Sequence, residues 1–116
     1  MIRSGKDMVQ EVRERMQDGK GQVEMTHIFT QDELGSKIRL CARISIPPGG
    51  SIGYHPHLGE EEIYYILRGE AIVNDNGDVC KLGPGDAVLT GGGASHSIEN
   101  SGKENLEFIA VISLFS

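Results

Sequence analysis

The hydrophobic period of the chain changes near residue 20. Between Asp7 and Gln17, Met8, Val12 and Met16 recur at every fourth position, Asp7 and Gln10 have the spacing of a capping box, and Gly19 follows. A narrow apolar stripe of this kind predicts one short helix. From Val23 the period drops to two, with Val23, Met25, His27 and Phe29 on one face and Glu24 and Thr26 on the other, the alternation of a half-buried strand. His27 shares an otherwise apolar face and reads as a hydrogen-bonded structural histidine. Lys37 to Ile46 alternates for longer: Ile38, Leu40, Ala42, Ile44 and Ile46 face one way, and Arg39, Cys41, Arg43 and Ser45 the other. The two arginines therefore point to the surface or into a second pocket.

Pro47-Pro48-Gly49-Gly50 ends that strand, because proline removes ladder donors and glycine accepts positive φ. Further short strands are expected around Tyr54–His57, at Glu62–Leu67, Ala71–Val73, Val79–Leu82 and Ala87–Thr90, around His96, and at Leu106–Phe115. Asn76-Gly77 suits a tight hairpin turn between two of them. The last run is apolar on both alternating faces over much of its length, which predicts that neither side meets water and that a second copy of the chain covers one of them. Eight to ten short strands after one helix, with no βα alternation, specify an all-β, antiparallel sandwich or barrel. Residues 1–116 form one domain on this reading, a helical segment over 1–20 and a β-barrel over 22–116.

Bulk properties narrow the function. A chain of 116 residues buries one core. Its net charge of −6 disfavours nucleic acid, which needs a basic face to displace counterions. No apolar stretch approaches the ~20 residues of a membrane helix, and the opening MIRSGKDMV lacks the apolar run of a signal peptide. Cys41 and Cys80 have no CxxC spacing, so the chain reads as a cytoplasmic protein with two reduced thiols.

The residues that carry chemistry lie in the middle. His55 and His57 are separated by one residue, so on a strand both imidazoles project from one face and can reach the same ion. Glu62 returns on the next strand, and His96 can join after the Gly91-Gly92-Gly93 corner. Taken singly, His-Pro-His reads better as a solvated loop and Glu60-Glu61-Glu62 as an ordinary acidic turn; the combination points to a site. Three imidazoles and a carboxylate suit Mn, Fe, Co, Ni, Cu or Zn rather than Ca or Mg. Glu61 is the rival of Glu62 for the carboxylate position.

On these residues the chain resembles the cupin family. One cupin signature is filled by Gly49, His55-Pro56-His57, Glu62 and Gly69, and the second by Gly85, Gly93, His96 and Asn100, with Gly91 where the pattern has proline. The resemblance implies a cupin jelly-roll β-barrel, here with the short N-terminal helix, and one divalent metal ion, manganese first, on His55, His57, Glu62 and His96. It also implies a small anionic ligand, a carboxylate or hydroxy acid, and pairing into a homodimer. Tyr64, two residues beyond Glu62 on the same face, is the candidate catalytic group, and filling the barrel is its alternative role. The resemblance extends to small oxalate decarboxylase-like cupins, although the two-barrel oxalate decarboxylases carry an arginine where this chain has Ile52. Decarboxylase, dioxygenase and isomerase chemistry stay open, as does a non-catalytic binding or sensing barrel.

Overall fold

The computed structural model describes all of residues 1–116. Ten strands carry the fold: β1 (Val9–Glu14), β2 (Gln22–His27), β3 (Ile38–Ile46), β4 (Ser51–Pro56), β5 (Glu60–Arg68), β6 (Ala71–Asp75), β7 (Asp78–Leu82), β8 (Ala87–Gly91), β9 (Ser95–Asn100) and β10 (Leu106–Leu114). They form a six-stranded sheet, β1-β2-β3-β10-β5-β8, and a four-stranded sheet, β4-β9-β6-β7, and every pairing is antiparallel. No strand of one sheet pairs with a strand of the other, so the expected jelly roll is two facing layers rather than a ring of continuous hydrogen bonds.

The predicted helix over Asp7–Gln17 does not form. Val9–Glu14 is an edge strand paired with β2 from Val9↔His27 to Glu14↔Gln22, flanked by short 3-10 turns at Gly5–Asp7 and Met16–Asp18. The physical reason is the marginal stability of an isolated helix of this length, whereas β2 offers a full ladder of backbone partners. Almost every side chain of β1 is exposed. An edge strand with both faces wet shows no period of two, and its charges discourage pairing with a foreign chain.

Elsewhere the alternation places the core as expected. Inward residues of β3, β5 and β10, among them Ile44, Ile46, Tyr64, Ile66, Leu106 and Phe108, are almost completely buried against Ile52, Val73 and Ile98 of the smaller sheet. Each such side chain contributes about 1.5–3 kcal/mol of transfer free energy. His27 is held by Glu11 Oε1 at 2.7 Å, the structural role expected of it. The β6–β7 hairpin turns at Asn76 (φ 50°) and Gly77 (φ 97°), both left-handed as a type I′ turn requires.

Candidate metal centre

Two bulges aim the site. In the β4–β9 ladder Ile52 pairs with Ile98 and His55 with His96, so β4 carries one extra residue around Gly53 and Tyr54. That extra residue resets the alternation: Ile52 and His55 both point inward although they are three positions apart. In the β3–β10 ladder Ile112 pairs with Leu40 but Ser113 with Ile38, which leaves Arg39 as the unpaired residue of a second bulge. Bulges re-aim side chains in this way. Arg39, expected to face away from the aliphatic stripe, reaches the mouth between the sheets instead.

His55 (β4), His57 just past it, Glu62 (β5) and His96 (β9) converge, with one ligand atom of each within 4.8 Å of all the others. His55 Nε2 lies 3.1 Å from His57 Nε2, which is 2.9 Å from His96 Nε2; Glu62 Oε1 is 2.9 Å from His57 Nε2 and 3.0 Å from His96 Nε2. All four residues are buried. Glu61 lies on the outer side of β5, so Glu62 is the carboxylate that faces the three imidazoles.

The outward nitrogens explain why the inner ones face each other. His55 Nδ1 donates to Gly53 O at 2.6 Å and His57 Nδ1 to Glu60 Oε2 at 2.5 Å. These bonds place the proton on Nδ1 and leave a lone pair on Nε2. His96 is fixed differently: Tyr64 stacks on its ring at 4.7 Å and 14°, while its Nδ1 is buried without a partner. Lone pairs and a carboxylate turned toward one point repel unless a cation lies among them, so the donor set fits a divalent ion.

Charge around the cluster follows from these contacts. Burial lowers the His55 pKa, opposed by the bond to Gly53 O and assisted by the neighbouring imidazoles. Burial would also lower that of His57, but hydrogen bonds to Glu62 and Glu60 outweigh it and the net direction is up. Glu62 lies below its usual range because its bonds to His57 and His96 outweigh burial. Tyr64 is pushed well above its ordinary value, first by burial and then by the charge of Glu62.

Glu60 and Arg39 were not picked out by their spacing in the sequence. Glu60 Oε1 accepts from Arg39 Nε at 2.8 Å, and its Oε2 accepts from both Arg39 Nη2 at 2.9 Å and His57 Nδ1. The Arg39 guanidinium, and after it the bond to His57, lowers the Glu60 carboxyl to about 2. The one hint in sequence is the short interval from His57 to Glu60; the bulge that delivers Arg39 leaves no mark there.

The departure at Gly91 also has a structural reason. A Cβ at that position would lie 2.5 Å from Glu60 O and 2.5 Å from Glu61 Cα, so β8 can pair this closely with β5 only through glycine. Gly92 and Gly93 follow with φ of 66° and 95°, and their backbone ties to Glu60 O and His57 O position His96. Asn100, the last residue of the second signature, bonds to Ile46 O, Glu104 O and Gly102 N. It locks the turns and lies away from the cluster.

A cavity of about 130 Å³ adjoins the cluster, lined by His55, His57, Glu62, Tyr64, Arg39 and apolar side chains, and by Arg13, Met16 and Gln17 from the N-terminal segment. The cupin domain model matches residues 42–112. The chain belongs to the cupin family. An oxalate-binding protein of Thermotoga maritima is 46% identical over 114 residues, which span 98% of this chain and 94% of that protein. The crystal structure of a Thermotoga maritima protein described as a predicted oxalate decarboxylase superposes with a TM-score of 0.93 at 46% identity, over 98% of this chain and 99% of that one. The polyketide cyclase RemF of Streptomyces resistomycificus shares the cupin fold at a TM-score of 0.79 and 20% identity, over all of this chain and 80% of its own. No helix of this cupin is long and apolar enough to cross a membrane, and both cysteines are unpaired.

Proposed function

We propose that this cupin holds one divalent transition metal ion on His55, His57, Glu62 and His96 and uses it to bind a short dicarboxylate, with oxalate as the first candidate. The observation that carries the reading is the chemistry of the cavity. Cationic and apolar side chains wall it, and outside the cluster its titratable groups are Arg13, Arg39 and Tyr64. None of these three exchanges a proton near neutral pH, since arginine stays charged and burial keeps Tyr64 a neutral hydroxyl. Anion binding is therefore better supported than turnover by general acid–base catalysis. The similar Thermotoga protein, named for oxalate binding, agrees.

A bound ion supplies positive charge for the carboxylate oxygens and acts as a Lewis acid. Glu60 and the Gly53 carbonyl hold His57 and His55 in the tautomer that can ligate, Tyr64 orients a ligand oxygen through its hydroxyl, and the apolar wall excludes water. Elemental analysis of untagged protein, followed by calorimetry of the manganese-loaded form with oxalate, tests this reading. One bound metal and a saturable oxalate isotherm are expected, and absence of either refutes it. Release of formate and carbon dioxide from oxalate would favour the enzyme reading, a decarboxylase, instead. Tyr64→Phe in the same titration should weaken oxalate and leave the metal in place.

The dimer belongs to the same proposal. Ile63, Tyr65, Leu67 and Leu89 are exposed on the outer face of the six-stranded sheet. Ile63 pairs with Val111 on one side and Leu89 on the other, so these residues form one patch beside the doubly apolar β10. Light scattering at micromolar concentration should report twice the chain mass; a monomer refutes the pairing. A cytoplasmic location rests on the two unpaired thiols alone.

A further inference from the structure

The segment between β1 and β2 is more contorted than a hairpin needs. Arg15, Gln17 and Asp18 have φ of 50°, 54° and 62°, three of the chain's four non-glycine residues in the left-handed region. Residues persist there only where their surroundings over-determine them, and they concentrate at binding sites. Here the surroundings are explicit. Arg15 N donates to Gly21 O at 3.0 Å, Gly19 N to Met16 O at 2.9 Å and Ser51 N to Lys20 O at 2.9 Å. The segment presses on β4 so closely that a Cβ at Gly53 would lie 2.0 Å from Gln17 O, and one at Gly19 2.2 Å from Ser51 O. Two residues before His55, the backbone is thus clamped in a position that brings Arg13 and Gln17 into the wall of the cavity.

Of the two arginines on that wall, Arg39 has Nε and Nη2 committed to Glu60. Arg13 is held only by 3.3 Å contacts to Glu11, a carboxylate that already holds His27 at 2.7 Å. Arg13 is therefore the cation available to an incoming anion, and its planar fork matches a carboxylate.

We propose that Arg13 and Gln17 recognise the ligand carboxylate furthest from His55, His57, Glu62 and His96, and so select a short diacid over a monoacid. This rests on the reading of the cluster as a metal site that accepts a carboxylate. The cavity of about 130 Å³ is small, which favours a short diacid.

The test uses the full-length, manganese-loaded protein and its Arg13→Gln, Arg13→Lys and Gln17→Ala variants, titrated calorimetrically with oxalate, malonate and glycolate. Glycolate can approach the ion but lacks the second carboxylate. Metal content and circular dichroism are measured on each variant. Arg13→Gln is expected to lose about tenfold or more in diacid affinity with glycolate affinity and metal content unchanged; Gln17→Ala should lose less, and Arg13→Lys, which keeps charge without the fork, should fall between. Unchanged diacid affinity in Arg13→Gln overturns this inference and leaves the metal–carboxylate reading standing. Equal losses for diacid and glycolate, or loss of metal, also overturn it, because Arg13 would then act on the whole site. A wild-type protein that takes up metal but none of the three acids overturns both proposals.

Discussion

Replacing Glu60 with glutamine isolates what the carboxylate behind His57 contributes. Glutamine keeps the volume and one carbonyl oxygen, so His57 Nδ1, now 2.5 Å from Glu60 Oε2, can still find an acceptor. The negative charge that strengthens the imidazole as a donor is lost, and Arg39 loses its partner at 2.8 and 2.9 Å. Loss of such a group behind a ligating histidine costs about 10–100-fold in metal affinity, or about 1.4–2.7 kcal/mol at about 1.36 kcal/mol per decade. The Arg39 side chain is 39% exposed, so water can take over its guanidinium and the variant should fold. Competition of manganese or zinc against a chromogenic chelator at neutral pH reads the affinity of wild type, Glu60→Gln, Arg39→Met and the double variant. Arg39→Met should cost less than Glu60→Gln. The double variant should match Glu60→Gln closely, because Arg39 acts on the metal only through Glu60. A Glu60→Gln protein that is folded and binds metal within twofold of wild type would refute the argument.

Acid should reveal the same group without metal. Because the folded-state pKa of Glu60 is lowered from 4.5 to about 2, its contribution to stability is complete above about 4.5 and is lost as pH falls toward 2. At about 1.36 kcal/mol per unit the contribution has an upper bound of about 3 kcal/mol, reduced by the water that screens the half-exposed Arg39. Urea unfolding of the metal-free protein should accordingly lose stability more steeply with falling pH in wild type than in Glu60→Gln; identical pH dependence would count against it. Gly91→Ala places a methyl group 2.5 Å from Glu61 Cα and should destabilise by about 1–3 kcal/mol, seen as a lower melting temperature; an unchanged melting temperature would show that β5 and β8 part without cost.

The strands were legible in sequence where one face is buried and the other wet. β3 is the clearest case: Ala42, Ile44 and Ile46 are buried as the alternation requires. The four cluster residues were legible because metal ligation constrains residue type and spacing together. β1 was misread because an edge strand exposed on both faces carries no alternation, and three residues at fourth positions imitated a helix. Arg39 was misplaced for a different reason. Alternation assigns a side chain to a face only while the register holds, and the bulge opposite Ile112 and Ser113 breaks it. Arg13 and Gln17 were invisible because left-handed backbone at Arg15, Gln17 and Asp18 has no signature in ordinary side chains.

The division of the fold into two unconnected ladders gives a bound cation a mechanical role. His55 and His96 lie on strands of the four-stranded sheet and His57 directly follows one, whereas Glu62 comes from the six-stranded sheet. An ion gripped by all four side chains would be a rivet through both layers at their end of the sandwich. Separating the layers and releasing the ion then become a single event, so chelation should loosen the molecule first at that end.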